Sequence, residues 1–160
     1  MRSSNSTLRP MEIFESPALP LIIELLADAD LPTQDIQSSL DVHFYGLGDR
    51  ESPDGIIGLE VHGSIGLLRS LVVRKDIQSK GLGKRLVQHI EHKAHDFGLS
   101  SLYLLTETAE SFFDRLEYVK CSRDAVPASI RSTTQFSSIC PDTASVMMKT
   151  ISLASATAQH

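Results

Sequence analysis

The residues best suited to bind a ligand lie in one short polar stretch, Gln78-Ser79-Lys80-Gly81-Leu82-Gly83, which is followed by Lys84 and Arg85. The first turn of a helix has backbone N–H groups without helical partners and carries the positive end of the helix dipole. Glycines there allow an anion to approach the amides closely. Lysine and arginine normally avoid that end because the dipole repels their charge. Their presence predicts a bound polyanion, and a ligand that carries phosphate groups is the simplest one.

The spacing of the glycines distinguishes between the common phosphate-binding loops. A nucleotide P-loop needs Gly, four residues and then Gly-Lys-Ser/Thr, and the sequence contains no such run. A Rossmann dinucleotide loop needs a third glycine near Leu86, where there is none. The pattern that remains is Gln-x-x-Gly-x-Gly at residues 78–83.

Two predicted elements position this stretch. The preceding residues 65–73 are rich in leucine and valine and contain no proline, which predicts a buried strand. The following residues predict an amphipathic helix that ends at Gly98. Its apolar stripe consists of Leu82, Leu86, Val87, Ile90, Ala94 and Phe97.

The arrangement of strand, Gln-x-x-Gly-x-Gly loop and helix resembles the pyrophosphate-binding signature of the GNAT family of N-acetyltransferases, which bind acetyl-coenzyme A. A buried strand at 102–106 and a short helix at 109–118 follow in the order of the second half of that fold. The tail resembles a subgroup described as arsenic-resistance-associated N-acetyltransferases, at Arg123, Val126-Pro127, Ile130, Thr134-Gln135-Phe136, Cys140-Pro141, Ala144 and Met147. The resemblance covers residues 10–151 as a single N-acetyltransferase domain, with loose termini at 1–9 and 152–160.

The resemblance implies an α/β (α+β) fold, in which a mixed, mostly antiparallel sheet of about six to seven strands is flanked by about four helices. It also implies that the main chain at the end of the central strand pairs with the pantetheine amides and that the loop amides hold the pyrophosphate. The implied cofactor residues are Leu71, Val72, Val73, Gln78, Ser79, Lys80, Gly81, Leu82, Gly83, Lys84 and Thr106.

The other elements are predicted from local patterns. We expect an edge strand at 10–15, helices at 17–29 and 32–40, and strands at 42–47 and 56–62 with the turn cluster 48–55 between them. A turn at Gly63-Ser64 leads into the central strand. Residues 124–144 are expected to form an ordered flap with a helical turn, before a last strand at 146–151.

Acetyl transfer needs a group that accepts the proton of the amine, and Glu60 is the catalytic candidate. Hairpin pairing can bring Glu60 diagonal to Arg69 on one sheet face, so a structural ion pair is the alternative. Arg69 and Arg131 are candidates for binding a substrate carboxylate, since a guanidinium fork suits that group. Many relatives place a tyrosine general acid where this sequence has Phe113. We do not transfer that role to Tyr118, and a thiolate can leave without a dedicated acid.

No metal site is expected from the sequence. His89, His92 and His95 recur every three residues and are expected to form a solvated helix face. Cys121 and Cys140 are expected to be buried, inert thiols, because two cysteines without a third ligand make a poor site for a soft metal or metalloid. The two cysteines also fit a reducing compartment without disulfides.

Composition limits the remaining function classes. The chain has 160 residues, enough for one domain, and its net charge of −5 argues against general nucleic-acid binding. No apolar run approaches the about 20 residues of a membrane span, and no signal peptide is visible, so we expect a cytoplasmic protein.

The resemblance implies an N-acetyltransferase that moves the acetyl group of acetyl-coenzyme A to the amine of a small, acidic, amino-acid-like substrate, and Arg69 and Arg131 agree with an acidic group on that substrate. The amine would attack directly in a ternary complex. Two alternatives stay open: a non-catalytic acetyl-coenzyme A binding module, which the missing tyrosine favours, and a protein or peptide N-acetyltransferase. Homodimers are common among proteins similar to this one. The sequence leaves the oligomeric state and the substrate undecided.

Overall fold

The fold is built around one seven-stranded sheet. The computed structural model describes residues 12–29, 42–74, 81–131 and 144–151. The strand order is β1-β2-β3-β4-β5-β7-β6, and all neighbours are antiparallel except β4 and β5. The strands are β1 (Ile13–Glu15), β2 (Val42–Asp49), β3 (Ser52–His62), β4 (Ile65–Val73), β5 (Ser101–Thr106), β6 (Val119–Cys121) and β7 (Ser145–Thr150).

Helices cover both faces of the sheet. In the described part of the chain they are α1 (Leu19–Asp28), α2 (Leu82–Asp96), α3 (Glu110–Arg115) and α4 (Ala128–Arg131), with a 3-10 turn at Arg123–Ala125. Helices α2 and α3 pack on one face over the main core, whereas α1 and α4 contribute to two smaller apolar clusters on the other face. The predicted fold class is confirmed.

Helix α2 forms because its apolar residues recur on one side. Leu82, Leu86, Val87, Ile90 and Ala94 are all buried against the sheet. The helix ends as predicted at Gly98, whose φ of +77° is a left-handed conformation that favours glycine. Phe97 was expected to widen the buried stripe, and this is wrong: it is 43% exposed. Phe97 is the residue that caps the helix, and its ring lies 5.0 Å from that of His43.

The hairpin between β2 and β3 corrects the predicted turn cluster at 48–55. Both strands extend into that cluster, and only Arg50 and Glu51 form the turn. The strand register shifts after Leu47, and Gly48 adopts a φ of +96° at this bulge. The bulge lets the ladder continue through polar and turn-favouring residues, which a pattern of residue types alone assigns to a loop.

Some of the other predictions agree with the structure, and others concern residues outside the described ranges. Strand β1 and helix α1 lie inside the ranges predicted for them. The helix predicted at 32–40 and the termini at 1–9 and 152–160 lie outside the described residues, as does most of the flap beyond α4. None of the helices described is long and apolar enough to cross a membrane.

His89 corrects the predicted solvated histidine face. It is half-buried, its ring lies edge-on to that of Tyr45 at 4.9 Å, and its Nε2 is buried without a hydrogen-bond partner. Burial lowers the pKa of His89 below its ordinary value of 6.5, and the charges of Lys93 and His92 lower it further, against a small opposite effect of Glu15. Strand β2 covers this side of α2, and periodicity within the helix could not reveal that contact.

The half-buried imidazole of His89 should make the protein less stable in mild acid. Because the folded state favours neutral His89, the unfolded chain binds more protons once the pH falls below 6.5. The His89 contribution is therefore complete above pH 6.5 and is lost as the pH falls towards the lowered pKa. We expect the urea midpoint to decrease over this range, and to decrease less in His89→Gln.

The matched control is His92→Gln, since His92 is on the same helix but exposed. This variant should keep most of the acid sensitivity. An equal acid sensitivity in His89→Gln and the unchanged protein would contradict the assignment.

Candidate functional site

The site begins where β4 and β5 separate. The two parallel strands pair from Ile65↔Ser101 to Leu67↔Tyr103, and no pairing follows in the described residues, although β4 continues to Val73 and β5 to Thr106. Strand β4 remains in the sheet because β3 pairs with it as far as Gly55↔Val73. The central sheet therefore has an opening between two neighbouring strands.

A β-bulge in β4 lies at this opening. Ile56 pairs with Val72 and Gly58 with Arg69, so one residue of β3 faces two of β4. Within the bulge, Ser70 has a φ of +60°, which is uncommon for a residue other than glycine. A bulge bends its strand and leaves one residue outside the ladder. This bend accounts for the departure of β4 from β5.

The amino end of α2 follows β4 in the chain. Gly81 caps it in a left-handed conformation with φ of +77°, and no side chain caps the helix. The first amide bonded within the helix is that of Arg85, which donates to the Gly81 carbonyl at 3.1 Å. The amides of residues 82–84 precede it and have no partner within the helix. The first turn contains no acidic residue, so the turn is suited to an anion.

The described residues among the cofactor contacts implied by the resemblance lie around this opening. Leu71, Val72 and Val73 are in β4 beyond the last parallel pair. Gly81, Leu82, Gly83 and Lys84 form the amino end of α2, and Lys84 is exposed. Gln78, Ser79 and Lys80 lie outside the described residues.

Thr106 has a structural function at the end of β5. Its hydroxyl accepts a hydrogen bond from the Ala109 amide at 2.9 Å, just before α3 begins. This bond holds the turn between β5 and α3. The proposed contact of Thr106 with a cofactor stays a prediction.

Glu60 and Arg69 form a buried ion pair on the sheet face opposite α2. The Arg69 Nη1 donates to the Glu60 Oε2 at 2.6 Å, and the two side chains are 1% and 10% exposed. The predicted diagonal arrangement is thus present, since Glu60 pairs with Leu67 and Arg69 with Gly58. The absence of a side chain at Gly58 leaves room for the Arg69 stem, whose Cγ would lie 3.2 Å from an added Cβ.

Two further polar contacts extend this pair. The Arg69 Nε donates to the Ser70 Oγ at 3.1 Å, which links the arginine to the bulge. On the other side, the His62 Nε2 lies 2.9 Å from the Glu60 Oε1, and the His62 side chain is 26% exposed. Each carboxylate oxygen of Glu60 therefore has a nitrogen partner.

Sequence reasoning missed His62, Ser70 and Tyr103. A signal existed for His62, because residues two apart in a strand share a face and His62 follows Glu60 by two. Tyr103 lies at the last parallel pair and packs in the same apolar cluster as Leu67. Burial raises the pKa of its phenol, and the nearby Cys121 raises that pKa further. No pattern of residue types in the sequence predicted the bulge at Ser70.

The remaining predicted residues lie elsewhere. Arg131 is exposed at the end of α4, and Phe113 is buried in the main core between the rings of Phe112 and Tyr118. The Tyr118 hydroxyl donates to Glu91 on α2 at 2.9 Å, and burial, then Glu91, raise the pKa of Tyr118 far above its ordinary value. Tyr118 is thus a structural residue, consistent with leaving the acid role unassigned.

Metal ligands do not cluster in the residues that the structure describes. Cys121 is a free, half-buried thiol, and burial raises the pKa of this thiol, which disfavours the reactive thiolate. Cys140 lies outside the described residues.

Comparison with known proteins identifies this arrangement. The profile of the Acetyltransferase (GNAT) family matches residues 13–118, from β1 to the residue before β6. The chain belongs to this family. An amino-acid acetyltransferase from Ralstonia nicotianae is 34% identical to this GNAT chain over 67 residues, which are 42% of the chain and 15% of that protein.

Solved structures show the same fold. N-acetylglutamate synthase from Neisseria gonorrhoeae, complexed with coenzyme A and N-acetyl-glutamate, is similar with a TM-score of 0.71 and 19% identity, over 90% of this chain and 36% of that one. A GNAT acetyltransferase from Staphylococcus aureus is similar with a TM-score of 0.71 and 15% identity, over 89% of this chain and 99% of that one. The chain thus spans about a third or less of the first two relatives and nearly all of the third.

Reversing the charge of Lys84 should weaken cofactor binding. Lys84→Glu places a negative side chain beside the amides that would receive the pyrophosphate, so we expect the Kd for coenzyme A to rise about ten-fold, or about 1.4 kcal/mol. Isothermal titration calorimetry measures this change.

Lys120→Glu is the matched control, since Lys120 is also exposed but lies on the edge strand β6. Its Kd should stay within about two-fold of the original value, a difference of less than about 0.5 kcal/mol. An unchanged Kd in Lys84→Glu would count against the assignment of the loop.

Proposed function

We propose that this chain transfers the acetyl group of acetyl-coenzyme A to the amine of a small, acidic, amino-acid-like substrate. The opening between β4 and β5, with the uncapped amino end of α2 beside it, is the observation that carries the proposal. A pantetheine arm has amides that can pair with a free strand edge, and a pyrophosphate suits free helix amides. The coenzyme A in the similar N-acetylglutamate synthase structure supports the same cofactor.

The acceptor side would lie on the face that carries Glu60 and Arg69. A buried guanidinium favours a planar anion such as a carboxylate, and exposed Arg131 on α4 would supply a second positive charge. The amino-acid acetyltransferase and the N-acetylglutamate synthase among the relatives support an amino-acid acceptor. The resemblance of the tail to arsenic-resistance-associated enzymes would place this chain in that subgroup.

The proposed acetyl transfer needs few catalytic groups from the protein. The neutral amine nitrogen attacks the thioester carbonyl carbon, the C–S bond breaks, and coenzyme A leaves as a thiolate. Glu60 would take the proton that the amine loses. The bulge residue outside the β3 ladder would offer an N–H to the oxygen that becomes negative in the tetrahedral intermediate. With Phe113 in place of a tyrosine, the thiolate would leave without a protein acid and then take a proton from water.

One observation favours a second function. Phe113 is buried at the place where relatives have the tyrosine acid, so a module that binds acetyl-coenzyme A without turning it over stays a candidate. A protein or peptide acetyltransferase would need an open acidic groove, whereas the buried charge on this face is an arginine paired with Glu60.

Release of free thiol from acetyl-coenzyme A tests the proposal. We expect turnover with at least one carboxylate-bearing amine in a panel of amino acids, phosphinothricin-like compounds and basic peptides. The dependence of thiol release on each amine, after subtraction of hydrolysis without acceptor, is the measurement. Tight binding of acetyl-coenzyme A without turnover would favour the binding module, and preference for basic peptides would favour the peptide acetyltransferase.

Arg69→Lys should reduce the affinity for an acidic acceptor. A lysine keeps the charge but lacks the planar fork, so KM for that acceptor should rise about ten-fold or more. The KM for acetyl-coenzyme A should change much less, because its proposed contacts are with the main chain.

Arg115→Lys is the matched control, since Arg115 is exposed on α3. The melting temperature of both variants reports whether the fold is intact. An unchanged acceptor KM in a folded Arg69→Lys protein would remove Arg69 from the binding site.

A further inference from the structure

Glu60 is shared between two basic side chains. Its Oε2 accepts from the Arg69 Nη1 at 2.6 Å, and its Oε1 lies 2.9 Å from the His62 Nε2. Exposure increases along this chain of groups, from 1% at Arg69 to 10% at Glu60 and 26% at His62. The three side chains thus lead from the opening between β4 and β5 towards solvent.

His62 is in direct contact with Glu60. It lies opposite Ile65 of β4, its Nε2 is 2.9 Å from the Glu60 Oε1, and Arg69 lies on the other side of Glu60. Tyr103 of β5 is next to Leu67, the β4 residue that pairs with Glu60. Glu60 is therefore the direct ion-pair partner of both basic groups.

The position of the Glu60 carboxylate has a consequence for any acidic acceptor. A substrate carboxylate that accepts from the Arg69 Nη1 would compete with the Oε2 of Glu60, because that oxygen already accepts from this donor. Two carboxylates at one buried arginine would repel each other, and the low polarity of the site makes that repulsion costly. The displaced carboxylate needs a second cation, and His62 is already within hydrogen-bond distance of it.

We propose that an acidic acceptor displaces Glu60 from Arg69, and that His62 becomes an imidazolium that holds the displaced Glu60. This inference rests on the proposed function and adds a regulation of the same site. Before the exchange, the Glu60 carboxylate lies between Arg69 and His62 and contacts both. After the exchange, two carboxylates are balanced by Arg69 and protonated His62, so one proton is taken from solvent for each acceptor that binds with its amine still in the ammonium form.

The exchange also prepares the chemical step. Glu60 keeps its Oε1 on His62, whereas its Oε2 is released from Arg69 and becomes able to accept the proton of the amine. An acceptor without a carboxylate would leave Glu60 paired with Arg69. His62 is thus a positioning residue whose protonation is coupled to recognition of an acidic substrate.

Proton uptake on binding tests the exchange. L-glutamate, L-aspartate and phosphinothricin, with propylamine as the acceptor without a carboxylate, are titrated at pH 7.5 into the full chain saturated with coenzyme A. The titrations are repeated in phosphate and in Tris, whose ionisation enthalpies differ. The dependence of the binding enthalpy on the buffer gives the number of protons taken up.

We expect uptake of about one proton, and not less than about half, for each carboxylate-bearing ligand that binds, because the exchange converts one imidazole into an imidazolium. His62→Gln should abolish most of this uptake and weaken binding, and propylamine should cause none. His43→Gln is the matched control, because His43 is exposed on β2 and stacks on Phe97. It should keep the uptake.

Glu60→Gln is a second test of the exchange. The glutamine is a neutral competitor for Arg69, so the acidic ligand should bind several-fold more tightly and without proton uptake.

The outcomes separate the exchange from the proposed function. Binding of an acidic amine without proton uptake, or with equal uptake in His62→Gln, overturns the exchange and leaves the acetyltransferase proposal standing. If no carboxylate-bearing amine binds, the acidic acceptor in the proposed function is wrong and the exchange is overturned with it. If His62→Gln does not fold, unchanged uptake in folded Glu60→Gln overturns the exchange.

Discussion

The separation of β4 from β5 is the constraint on which the rest of the site depends. A strand can leave one neighbour only if its other edge stays paired, since buried main-chain groups without partners are costly. Strand β3 provides that pairing along most of β4, and the bulge at Ser70 supplies the bend. An opening within the centre of the sheet therefore exists without the loss of either strand. The amino end of α2, which follows β4 after a short connection, can then act together with that opening.

The position of α2 is maintained from its far side. Glu91 in the second half of this helix accepts a hydrogen bond from Tyr118 and lies 3.2 Å from the Lys149 Nζ on β7. Lys149 also donates to the Leu116 carbonyl at 3.0 Å and lies over the Tyr118 ring at 5.5 Å. These contacts tie the helix to the strands on the other side of β5. The aromatic residues after β5 thus support the scaffold, and none of those described has been placed as an acid in the reaction.

The two faces of the sheet differ in the residues that they bury. The α2 face is a continuous apolar core, whereas the opposite face has two smaller clusters and the Glu60–Arg69 pair. A buried ion pair is often no more stabilising than apolar residues of the same volume. The proposed recognition of an acidic acceptor by Arg69 would account for a charged pair near the opening.

The sequence by itself determined the elements whose residues have a period. The alternation of apolar residues, the glycine that ends α2 and the order of strand, loop and helix were sufficient for the fold class and for the GNAT resemblance. Pairing of Glu60 with Arg69 followed from hairpin geometry. Tertiary structure alone decided the bulge at Ser70, the extension of β2 and β3 through the turn cluster, and the burial of His89 under Tyr45. These features arise from contacts between elements distant in the chain, and a local pattern of residue types contains no information about which surface will cover it.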